Sequence, residues 1–206
     1  MTATAVDGRL PREPRSPSGF RARPNEWWGM LMLIATELTL FALLLFSYFF
    51  VRFKSAPPWP PDGIKDPKLL KPAVMTVILL ASSGPIWWAE RGIRLGRSYR
   101  LLAGFAGGFL LGAAFLTLQV FEYLEKVKES TPRTDAYSSL FYTITTLHGA
   151  HVLVGLLLIA WTWLRALRGR YTRARHVAVQ TTALYWHFVD GVWIFIFGSL
   201  YLSPHA

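Results

Sequence analysis

The chain has no cysteine. That removes disulfides, thiolate-bound metals, iron–sulfur clusters and the C-x-x-C-H attachment of a c-type haem. Acidic residues are scarce: 12 Asp and Glu stand against 22 Lys and Arg, a formal net charge of +10. No G-x-x-x-x-G-K-[ST] phosphate loop is present. Charged residues of both signs make up only 17% of the chain, whereas 52% is hydrophobic and 15% aromatic. The mean hydropathy is +0.31. A basic nucleic-acid-binding domain carries its charge on the face of a soluble fold, and nucleic acid is not an expected partner here. High hydrophobicity together with high positive charge suits a membrane protein, in which basic residues collect in short loops on one side.

Five long apolar segments are present, at about 27–53, 70–90, 99–124, 137–164 and 177–202. Each reaches the length needed to cross a hydrocarbon layer of ~30 Å at about 1.5 Å per residue. None alternates strictly, which argues against a membrane β-barrel. The expected fold is an all-α membrane protein of five transmembrane helices, a single domain at 206 residues. The helical domain is expected over 27–203. Residues 1–26 hold Arg9, Arg12, Arg15, Arg21 and Arg23 with four prolines and no apolar core. They read as a flexible basic tail and not as a cleavable signal peptide. The second segment is interrupted by Ser82, Ser83, Gly84 and Pro85, where a kink is expected.

The loops set the expected orientation. The tail, the 2–3 loop (Arg91, Arg94, Arg97, Arg100) and the 4–5 loop (Arg165, Arg168, Arg170, Arg173, Arg175) fall on one side and hold fourteen of the 22 basic residues. The opposite side carries Arg52, Lys54 and Lys126 among others, offset by Asp62, Asp66, Glu125, Glu129 and Asp135. The positive-inside rule then places the N-terminus in the cytoplasm and the C-terminus on the outer side. The 1–2 loop, with Pro57, Pro58, Pro60 and Pro61 around Trp59, is expected to be a stiff extended spacer.

Ionisable groups in hydrocarbon need a partner or a purpose. Glu37 lies ten residues into the first segment, about 15 Å along it. It is either a proton-linked carboxyl or a protonated, hydrogen-bonded acid that only packs. Glu122, with Gln119 and Tyr123, sits near the outer end of the third helix. His148 and His151, and again His187 and Asp190, are three apart and share a face of their helix. Counting depth from the outer end predicts that the fourth and fifth helices bring His148, His151, His187 and Asp190 to a similar level as one interhelical polar cluster, with Gln119 nearby. A metal site competes with a structural role. The repeated Glu-x-x-His of di-metal bundles is absent, so the structural role is the expectation and no metal is assigned. Gly104, Gly108 and Gly112 form a small-x-x-x-small ladder for close helix packing. From these residues alone three classes stand: an accessory subunit of a larger complex, a small proton-linked transporter, or a membrane metalloenzyme.

The fifth segment reads Tyr185-Trp186-His187-Phe188-Val189-Asp190-Gly191-Val192-Trp193-Ile194-Phe195. This closely resembles the signature of cytochrome c oxidase subunit III. Thr36-Glu37, Trp59-Pro60-Pro61, Leu80-Ala81-Ser82-Ser83, Gln119 with Glu122 and Tyr123, and Tyr137 with Leu147-His148-Gly149-Ala150-His151-Val152 and Gly155 are similar to further motifs of that family, in family order. Gly191 departs from the bulkier residue usual there.

The resemblance implies a non-redox accessory subunit of a proton-pumping haem–copper oxidase in a bacterial inner membrane. It implies no cofactor on this chain, with haem and copper in partner subunits. It implies packing against subunit I, with subunit II in the same complex, and structural phospholipid held between helix groups. It implies support of proton uptake and of the catalytic subunit's stability, with Glu37 at the family's carbodiimide-reactive glutamate. The chain resembles the five-helix form that lacks the first helix pair. Quinol oxidases and some nitric oxide reductase complexes have related subunits and form the neighbouring alternative.

Overall fold

The computed structural model describes residues 24–55, 69–129, 131–133 and 135–205. The basic tail up to residue 23 and the Trp59-Pro60-Pro61 loop lie outside the described residues. Five α-helices follow one another: α1 Asn25–Lys54, α2 Leu70–Arg94, α3 Ser98–Glu129, α4 Ala136–Leu167 and α5 Val177–Phe197. All five are long and apolar enough to cross a membrane. Each contains its expected segment except at the end of the fifth.

The helix ends follow from local chemistry. Asp135 precedes α4 in an extended conformation, and its carboxylate accepts from the Ser138 amide at 2.8 Å, which satisfies a helix-start donor. Gly96 (φ 74°) and Gly169 (φ 66°) follow α2 and α4 in the left-handed region, where only glycine sits without strain. The fifth segment does not stay α-helical to residue 202. It widens into a π turn over Gly198–Leu202 and tightens again over Ser203–His205. The wider turn seats both Leu200 and Tyr201 in the core, and Ser203 donates to the Ser199 carbonyl at 2.6 Å.

Helix α2 runs as one helix through Pro85. The glycines of α3 face that stretch. A Cβ on Gly104 would collide with the Pro85 carbonyl and Ala89, and one on Gly108 would collide with Ile86. The third rung, Gly112, turns elsewhere and receives the Trp186 ring of α5. Side-chain bonds tie α2 to α5: Trp193 donates to Thr76 at 2.9 Å and Trp186 to Ser82 at 2.8 Å.

Helices α2, α3, α4 and α5 form a closed four-helix arrangement, and α1 lies outside it against α4 and α5. Chain direction is fixed by contacts at one end of the bundle. Arg52 at the end of α1 donates to Ser203 beyond α5 at 2.6 Å. Lys71 at the start of α2 pairs with Glu125 near the end of α3. The opposite end therefore gathers the arginine-rich α2–α3 and α4–α5 connections.

Candidate functional site

The polar residues inside the bundle separate into three places. The first is the seam between α1 and α4. His151 Nε2 lies 2.9 Å from Glu37 Oε2, and His151 Nδ1 lies 2.8 Å from the Leu147 carbonyl oxygen. A carbonyl only accepts, so Nδ1 carries the hydrogen of the neutral ring. Nε2 then accepts from a protonated Glu37, or donates to its carboxylate once the imidazole is charged. In both states the pair shares one proton and is neutral overall. Phe41, one helical turn beyond Glu37, presents an edge to the His151 ring at 5.0 Å. The Tyr185 hydroxyl donates to the His151 carbonyl at 3.3 Å. The Glu37 side chain keeps 29% exposure against 13% for His151, so the carboxyl opens outward from the bundle.

The second place is the seam between α2 and α5. Ser83 Oγ lies 2.8 Å from His187 Nδ1 and donates to Asp190 Oδ2. A serine hydroxyl has one hydrogen to give; with that hydrogen on the carboxylate, it accepts from His187 Nδ1–H. Asp190 is only 3% exposed, and its Oδ1 makes no hydrogen bond among the described residues.

The third place is His148 alone. It is fully buried between rings, tilted against Trp193 at 5.0 Å and edge-on to Phe115 at 6.1 Å. Among the described residues neither ring nitrogen has a hydrogen-bond partner. Gln119 is separate again and donates to the Thr145 carbonyl at 2.7 Å.

The expected single cluster of His148, His151, His187 and Asp190 is thus divided. Residues three apart on a helix differ by about 60° in direction. At a boundary between neighbours that suffices to aim His151 at α1 while His148 faces the core. His187 and Asp190 point to α2, not to α4. Counting depth along each helix did not fix their azimuth. Ser83, which bridges the second site, read in the sequence only as an interruption of an apolar run and as part of a family motif. A hydroxyl at an otherwise apolar position opposite a buried carboxyl was the signal for it.

Glu122 borders a narrow crevice with Met75, Gln119, Lys126, Phe141 and Tyr201. There the Lys126 ammonium lies 3.7 Å from the Phe141 ring centroid, a cation–π contact. Among the described residues, no three His, Cys, Asp or Glu side chains are grouped to hold a metal ion. Of the three histidines inside the bundle, His151 and His187 are each engaged by a partner, and His148 is enclosed by rings.

This order of helices and polar seams accompanies a match along nearly the whole chain. A family model described as cytochrome c oxidase subunit III matches residues 22–204. The chain belongs to the cytochrome c oxidase subunit III family. A cytochrome c oxidase subunit 3 from a Synechocystis species is 34% identical over 203 residues, covering 98% of this chain and 86% of that protein. The same subunit from Loxodonta africana is 32% identical over 179 residues, covering 84% of this chain and 68% of its own length. That from Drosophila yakuba is 33% identical over the same extent. These matches favour the accessory subunit III of a haem–copper oxidase over a transporter, a metalloenzyme or the quinol and nitric oxide reductase relatives. A multi-pass membrane protein is the form this family membership and the five helices together give.

Proposed function

We propose that this subunit III acts without redox chemistry of its own. It packs against subunit I of the oxidase, in a complex that also holds subunit II, and it holds an exchangeable proton at Glu37 and His151 for uptake by the catalytic subunit. The observation that carries this reading is the 2.9 Å Glu37–His151 contact on the loosely covered α1. The two groups are hydrogen-bonded across the seam, and the Glu37 side chain keeps 29% exposure. The engaged or ring-enclosed histidines support the assignment of haem and copper to partner subunits. Glu122 is a second proton-linked candidate, at the far end of α3. Cytochrome c is the proposed electron donor, from the name of the relatives. The proposed setting is a bacterial inner membrane, with the arginine-rich end of the bundle in the cytoplasm and phospholipid as a structural companion.

The test is a mild-detergent pull-down of the tagged chain, read by a reduced-minus-oxidised haem spectrum and by identification of its companions. Haem bands with a large multi-helix subunit in equal amount are expected. Oxygen reduction by the Glu37→Gln complex should be reduced modestly, with assembly intact. A complete loss of oxygen reduction in a fully assembled Glu37→Gln complex would contradict the accessory role.

A further inference from the structure

At the arginine-rich end of α2 a cavity of about 290 Å³ is lined by Trp87, Glu90, Arg91 and Arg94. Arg94 pairs with Glu90 one turn away, so the one carboxylate of the lining is already matched. Arg91 makes no ion pair among the described residues; its guanidinium lies 5.3 Å from the Trp87 ring centroid. Across the α2–α3 turn Arg100 lies over Trp88 at 5.5 Å and over Tyr99 at 5.8 Å. Its stem fills the place a side chain on Gly92 would take. The cavity thus has a surplus of positive charge held on aromatic faces, the pairing found where a helix leaves the hydrocarbon layer.

An apolar lane leads into it. Val77, Leu80, Gly84 and Trp87 recur on one exposed face of α2 at steps of three, four and three residues, and Arg91 and Arg94 continue the same face. The lane is about 15 Å long at 1.5 Å per residue. Gly84 leaves open space in its middle, since nothing lies within 4 Å of where its Cβ would be. An apolar strip this long, ending at unmatched guanidinium, is complementary to an acyl chain ending at a phosphate.

We propose that this face of α2 binds one anionic phospholipid. Its phosphate sits at Arg91, with Arg94 beside it, and one acyl chain lies along Val77, Leu80 and Gly84. The net positive lining selects an anionic headgroup over a zwitterionic one, whose own cation would meet Arg91 and Arg94. This inference rests on the reading of the chain as a membrane-spanning oxidase subunit.

The test uses the purified oxidase complex containing this chain, washed in detergent and titrated with mixed micelles of phosphatidylglycerol or phosphatidylcholine. Bound lipid is counted by native mass spectrometry. Arg91→Gln is expected to weaken phosphatidylglycerol about fivefold, the share of one arginine at a membrane surface, and to leave phosphatidylcholine unchanged. Glu90→Gln is expected to strengthen phosphatidylglycerol, because it removes the repelling carboxylate and frees Arg94; damage to the fold would not produce that sign. Unchanged phosphatidylglycerol affinity in Arg91→Gln would overturn the site. So would an equal loss of phosphatidylcholine, or an equal effect from Arg165→Gln, which stacks on Trp161 away from this cavity. Recovery of the haem-bearing complex is a separate readout, and its failure strikes the oxidase reading and not the lipid site.

Discussion

Two seams of this bundle join a histidine to a carboxylate, and they are built in opposite ways. On the α1–α4 seam Glu37 meets His151 directly, on a helix of 30 residues of which only Phe41 and Tyr48 are buried. On the α2–α5 seam Ser83 stands between His187 and Asp190, and ten of the 21 residues of α5 are buried. The chemical groups are nearly the same, and the packing around them decides what each can do. Where one helix is loosely covered, the carboxyl keeps 29% exposure, the opening that the proposed proton exchange requires. Where the helix is the centre of the bundle, the carboxyl is sealed, and its hydrogen bond holds two helices in register.

Substitutions should pull the seams apart. The largest effect is expected from Gly104→Leu, which drives a side chain into the Pro85 carbonyl, a backbone atom that cannot move aside. Forcing the α2–α3 contact open should cost about 1–3 kcal/mol and release the subunit from the complex in detergent; full retention would remove the argument for glycine-mediated packing. Next is Asp190→Ala. It leaves Ser83 and His187 without the carboxylate and should cost about 1 kcal/mol, measured as earlier loss of the subunit on a detergent series. Ser83→Ala should give a similar loss and the double variant little more, because the two side chains share one bond. Additive losses would show that Ser83 is not the bridge. Smaller is the difference in reagent access. A hydrophobic carbodiimide should label Glu37, with its side chain 29% exposed, and leave Asp190, at 3%, unmodified; equal labelling would erase the contrast between the seams. Smallest is the assembly defect of Glu37→Gln, whose amide still bonds His151: subunit content should equal wild type, with the change confined to turnover.

Much of the fold was legible because hydrophobicity reports depth. Five apolar segments correspond to five helices, the fifth segment running on past α5 into the π turn, and the motif around Trp186, His187 and Asp190 pointed to the family that the comparisons then showed. Azimuth was not legible. Nothing in the sequence states that α1 sits beside α4, so Glu37 and His151 were each visible as costly buried groups but not as partners. The same gap explains Asp190, whose partner is a serine 107 residues earlier and not a histidine of α4. The π turn after Phe197 was hidden for a different reason: it is set by the need to seat Leu200 and Tyr201 together, a packing demand with no local signature.

The position of α1 outside the four-helix arrangement has a consequence for how the protein is made. It is the first of the five helices to leave the ribosome, yet its neighbours are the last two. Its glutamate waits for a histidine 114 residues later in the chain, which at 5–20 residues per second is about ten seconds of synthesis. During that interval a carboxyl rests in lipid with no imidazole beside it. Ionisable side chains inside the membrane are costly unless paired, so the α1–α4 seam gains its polar partner only when α4 arrives.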